Sequence, residues 1–111
     1  MSDSSDLMML SVLLKHDQSK TVGAISEQLR DQGFLDAFPP DGVEVVSWVV
    51  MMGLGQVVTL RFPAARLREV NRSIEATAWG GFRTEIYATY DFAPIAREQR
   101  AHRPGYGGPA A

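Results

Sequence analysis

Val43-Glu44-Val45-Val46-Ser47-Trp48-Val49-Val50-Met51-Met52, then Gly53-Leu54-Gly55, then Gln56-Val57-Val58-Thr59-Leu60-Arg61-Phe62: this stretch decides the fold. β-Branched and aromatic residues fill both flanks. The glycines between them supply the positive φ that a tight reversal needs, so the stretch reads as two strands joined by a hairpin. Strand two covers 43–52 and strand three covers 56–62. Upstream, Pro39-Pro40-Asp41-Gly42 breaks the chain firmly. Downstream, Pro63 fits the first turn of a helix, where a missing N–H is harmless.

Working outward, 8–15 is apolar around Val12 and reads as strand one. Asp17, Gln18 and Ser19 follow as a turn and a helix N-cap. The first helix then carries Val22, Ile25 and Leu29 on one stripe, and Gly33 fits its C-terminal stop. The second helix places Leu67, Val70 and Ile74 on one stripe and ends at Gly80-Gly81. Strand four runs from Arg83 to Phe92. Residues 1–6 read as a frayed tail. Residues 93–111, with Pro94, Pro104 and Pro109, read as an extended or disordered tail with at most one helical turn near Ile95–Arg100. The order strand–helix–strand–strand–helix–strand is the βαββαβ pattern of an α+β, ferredoxin-like domain over 1–92. It predicts a four-stranded antiparallel sheet in order 4-1-3-2, with both helices on one face and strands one and three central and parallel.

Composition narrows the function classes. With 111 residues the chain is one domain. Zero cysteines exclude a disulfide scaffold, a thiolate zinc site and a thiol nucleophile. A net charge of −2 argues against a nucleic-acid partner. The acidic start and the interrupted apolar runs predict neither a signal peptide nor a membrane span, so the cytoplasm is the expected location. Only His16 and His102 are histidines, without metal-ligand spacing, so neither a metal nor a cofactor is expected.

Two helices cover one face of four strands. The other face should then be largely polar if it meets water. Strand two instead directs valines to both sides, and strand one places Met9 and Leu13 opposite Leu10, Val12 and Leu14. A semi-apolar second face predicts a homodimer packed sheet to sheet. The alternative is a monomer whose tail folds over the sheet.

Three short motifs extend this reading: Leu13-Leu14-Lys15 closing strand one, Gly53-Leu54-Gly55-Gln56-Val57-Val58 at the hairpin, and Gly81-Phe82-Arg83-Thr84-Glu85 opening strand four. On these, the run from Leu10 to Phe92 resembles the dimeric α+β barrel superfamily. That group includes antibiotic-biosynthesis-monooxygenase-type and muconolactone-isomerase-type proteins, and the likeness is nearest to the GYD-domain branch. The Tyr-Asp that gives the branch its name is absent from the hairpin. The resemblance implies a dimer with a cavity between sheet and helices or between paired sheets.

With strands one and three parallel, parity brings Lys15, Arg61, Arg83 and Glu85 to one end of the second face, with Ser11 and Tyr87 further in. One reading is an anion-binding mouth walled by Trp48 and Tyr87, because arginine forks suit carboxylates. The other is a salt-bridge network between subunits, Lys15 or Arg61 to Glu85. Trp48, Trp79, Phe34, Phe38, Phe62 and Tyr90, with Met51 and Met52, read as core or as the lining of an apolar pocket. His16 reads as a turn residue, or as a base or haem ligand. Two functions follow: a dimer that binds a small apolar or anionic molecule, or a cofactor-independent monooxygenase or isomerase acting on a small aromatic or polyketide-like substrate through His16, Arg61 and Tyr87.

Overall fold

In the computed structural model, which describes residues 6–103, alternation builds strand β1 (Leu7–His16): Leu10, Val12 and Leu14 are buried and the residues between them are not. Strand β3 (Gly55–Pro63) repeats this with Val58, Leu60 and Phe62. Strands β2 (Glu44–Met51) and β4 (Phe82–Thr89) complete an open four-stranded sheet in the order β2-β3-β1-β4, antiparallel throughout. The architecture is α+β and compatible with a ferredoxin-like arrangement.

The strand neighbours are those expected, but β1 and β3 are antiparallel rather than parallel. The hairpin explains the correction. It reverses the chain, so β3 runs against β2, while the helical crossover from β1 leaves β2 running with β1. Leu54 N–H closes the hairpin onto the Met51 carbonyl at 3.0 Å. Gly55, at φ +152°, lies so close to β1 that a Cβ there would sit 2.0 Å from the Leu14 carbonyl oxygen.

Helix α1 (Val22–Asp31) is capped by Thr21, whose hydroxyl accepts from Ala24 N–H at 3.1 Å. Ser19 is not the cap. Its N–H and hydroxyl donate to Asp17 Oδ1, tying off a separate turn. Gly33, at φ +72°, ends α1 in the left-handed region and starts the single turn α2 (Phe34–Ala37). The ring of Phe34 stacks on Phe38, centroids 5.2 Å apart. After Pro63, one 3₁₀ turn (Ala64–Arg66) leads into α3 (Leu67–Thr77), so the proline closes β3 instead of entering the helix. Val70 and Ile74 are fully buried on its stripe, whereas Leu67 is exposed.

One core joins these parts: Leu10, Val12, Leu14, Val58, Leu60 and Phe62 from the sheet, against Ile25, Phe34, Phe38, Val70 and Ile74. All of the sheet residues come from one face, so α1, α2 and α3 lie on that face. Burying a side chain of this size contributes about 1.5–3 kcal/mol. In β2, Val45 pairs with Leu60 and Ser47 with Thr59, so Val46 is an extra, bulged residue. It shifts the phase of the strand. Val45, Trp48 and Val50 fall opposite the helix-side residues of β3, while Ser47, Val49 and Met51 fall opposite the open side.

The chain beyond β4 departs from expectation. The strand stops at Thr89, and Ala93–Ala101 forms helix α4 where an extended tail was expected. Asp91 Oδ1 accepts from Ala93 N–H at 2.9 Å and Pro94 sits in the first turn, so a start signal and a fitting proline are both present. No residue of α4 is buried. The expectations for 1–5 and 104–111 lie outside the described residues. Among the described residues no helix is long and apolar enough to cross a membrane.

Candidate functional site

The open face of the sheet carries Lys15, Glu85 and Tyr87 together. β1 and β4 pair antiparallel, so Lys15 faces Arg83, Leu13 faces Glu85, and Ser11 faces Tyr87. Lys15 Nζ donates to Glu85 Oε2, and Tyr87 Oη donates to Glu85 Oε1 at 2.8 Å. The Lys15 hydrogen bond, and then that of Tyr87, hold the Glu85 carboxyl below the usual carboxylate range. The same bond pushes the Tyr87 hydroxyl up, because ionising it would place two anions together. Arg83 is exposed at the same end.

Arg61 does not join them. It faces Met9, six positions along β3 from Gly55, which faces Lys15. At about 3.3 Å per residue that separation is roughly 20 Å. The Arg61 guanidinium instead pairs with Glu44 at 3.2 Å on the neighbouring strand. The expected mouth of Lys15, Arg61, Arg83 and Glu85 therefore does not form, for the same reason that β1 and β3 are not parallel. The Lys15–Glu85 ion pair lies within one chain, so a bound anion would compete with a carboxylate already in place.

Between the two ionic ends, the open face is mixed. The Ser11 hydroxyl lies 3.1 Å from that of Thr59 and 3.4 Å from that of Thr89. Beside this row, Val49, Val57 and Leu13 lie in register across β2, β3 and β1. None of these residues is buried.

Trp48 lies on the other face. Opposite Val58 and on the helix side, it sets its ring edge-on to Phe34 and Phe38, with centroids 6.3 and 5.8 Å away. It is not an aromatic wall beside Tyr87. The indole N–H donates to Gln56 Oε1 at 2.7 Å. Here the structure holds a cavity of about 430 Å³ between α1, α2 and the helix side of the sheet. Its apolar walls are Leu29, Phe34, Leu35, Trp48 and Phe82; its polar groups are Ser26, Arg30, Asp36 and Gln56. A second recess of about 450 Å³ lies between α3 and the sheet at Leu67, Asn71 and Ile86, without an aromatic wall.

Of the aromatic and methionine set, only Phe34 and Trp48 line the first cavity. Phe38 and Phe62 are core, while Trp79, Tyr90 and Met52 are exposed. His16 stacks on the far ring of that wall, Phe82, at 5.8 Å between centroids. It caps no turn; Asp17 does that. His16 ends β1 with helix-side parity, whereas Arg61 and Tyr87 are on the open face, so the three candidate catalytic residues are split between two faces. No group of three His, Cys, Asp or Glu side chains suits a metal ion among the described residues.

Arg30 and Gln56 were not anticipated. Gln56 had a sequence signal: in β3 the buried parity reads Gln56, Val58, Leu60, Phe62, and one polar residue at a core position marks a gap. Arg30 had none, because it reads as a solvated position in the last turn of α1. No protein-family model, curated protein or solved structure matches the chain.

Proposed function

We propose that the chain is a small-molecule-binding protein that works as a homodimer, of the ferredoxin-like, dimeric α+β barrel kind. The observation that carries the binding reading is the 430 Å³ cavity with three aromatic walls and a few polar groups on its lining. That size and composition match ordinary ligand pockets. The dimer reading is supported by the open face, where Leu7, Val49 and Tyr87 are each more than 40% exposed. The oxygenase or isomerase alternative loses its support, since His16, Arg61 and Tyr87 do not line the cavity.

Native mass spectrometry of the purified protein, with and without added aromatic probes, tests the binding reading. Wild type should retain added mass, and Ser26→Trp, which fills the cavity from an exposed helix position, should lose it while folding normally. No retained mass with any probe, or equal retention by the filled variant, refutes it.

A further inference from the structure

We infer that the cavity selects a flat apolar ring bearing a single carboxylate, with Arg30 and Gln56 holding the anion. This rests on the small-molecule reading above and adds the chemical class. The rings of Phe34, Trp48 and Phe82, with Leu29, offer apolar surface suited to a planar group. The polar side of the cavity is rich in donors. An indole N–H only donates, so its bond to Gln56 fixes the amide with Oε1 toward Trp48. The Gln56 Nε2 group then carries two hydrogens and makes no hydrogen bond among the described residues.

Arg30 adds the charge. Glu27, Asp31 and Asp36 are all close in sequence, yet among the described residues none of them forms an ion pair with Arg30. Arg30 is on the cavity lining, and a guanidinium fork suits a bidentate carboxylate. Ser26 can donate as well. Asp36 is the only acid on the lining, and its charge opposes a second anionic group on the ligand. Three donor-bearing side chains against one acid, beside apolar walls, fit a monocarboxylate.

Calorimetric titration with 2-naphthoate and its neutral isostere 2-naphthamide tests this. Wild type should bind naphthoate about tenfold more tightly, equivalent to about 1.4 kcal/mol. Arg30→Gln, at an exposed position, should bring the two probes to parity, chiefly by weakening naphthoate. Gln56→Leu should weaken naphthoate severalfold. The wild-type preference should shrink with salt, because Arg30 is reached by solvent. Equal affinities in wild type, or a preference that survives Arg30→Gln, overturn the inference and leave the small-molecule reading standing. Binding of neither probe also overturns the inference, and the small-molecule reading is then decided by the mass-spectrometric test with Ser26→Trp.

Discussion

Substituting Val57 by aspartate separates the proposed dimer from the fold. Val57 sits at the centre of the open face, with Leu13 and Val49 beside it in register and Thr59 two positions along the strand. It is half-buried in the single chain, so a carboxylate there still reaches water. Within the monomer the change costs about 1 kcal/mol, the span of strand propensity in a host sheet. At a sheet-to-sheet interface the same carboxylate loses its water. The effective penalty for an unpaired buried ion is several kcal/mol, and two-fold symmetry applies it twice while bringing the charges toward each other. A total of about 4 kcal/mol already corresponds to roughly a thousandfold in the dimer constant. Sedimentation velocity over a range of concentrations, with far-ultraviolet circular dichroism as the check on fold, reads both quantities. Wild type should sediment as a dimer at micromolar concentration and Val57→Asp as a folded monomer. Val57→Thr keeps β-branching without charge and should fall between them. A monomeric wild type, or a Val57→Asp dimer of unchanged affinity, refutes the placement of the interface on this face.

Two further expectations concern the sheet. Gly55→Ala should lose more than about 3 kcal/mol in urea unfolding, because glycine-only backbone strain of about 1–3 kcal/mol adds to a Cβ driven against the Leu14 carbonyl. Gly53→Ala, with a positive φ but open space around it, should lose only about 1–2 kcal/mol, and equal losses at the two sites would contradict the close approach. Glu85→Gln should flatten the acid limb of stability. The folded carboxyl titrates below its ordinary 4.5, so its contribution is present above that value and lost as pH falls through the lower one. The gap in melting temperature between wild type and variant should therefore close in acid, and a gap that stays constant with pH would show that the Lys15 and Tyr87 bonds do not stabilise the fold.

The legible parts of this chain are those written in a local period. Leu10, Val12 and Leu14 recur at every second position, as do Val58, Leu60 and Phe62, and each set is the buried face of its strand. The grouping of Lys15, Glu85 and Tyr87 was legible too, since it needs only the antiparallel pairing of β1 and β4. Arg61 was misplaced by one error of direction, because antiparallel pairing moves a residue at one end of β3 to the opposite end of β1. In β2 the pattern itself is silent. Val45, Val46, Val49 and Val50 are apolar whichever way they point, so no change of phase marks the bulge at Val46. Helix α4 was hidden by Pro94 and by the prolines and glycines that follow it in sequence, although Asp91 two residues before Ala93 is a start signal of ordinary kind.

The cavity shows why a site can be less legible than the fold that holds it. A core closes by filling its positions with apolar side chains, and the buried side of β3 does so from Val58 onward. At Gln56 the chain departs from that rule beside Leu14, its register partner on β1. The departure is stable because Trp48 supplies a donor at 2.7 Å, so the amide oxygen is satisfied without water. Across the gap, α2 lasts a single turn, and Phe34 and Phe38 meet Trp48 edge-on rather than flat. A leucine at 56 would fill part of that space, add apolar burial and release the indole N–H to solvent. The Trp48–Gln56 pair thus leaves a polar exception at a position that the packing rules elsewhere in this core would fill, which is the kind of departure the proposed binding site requires.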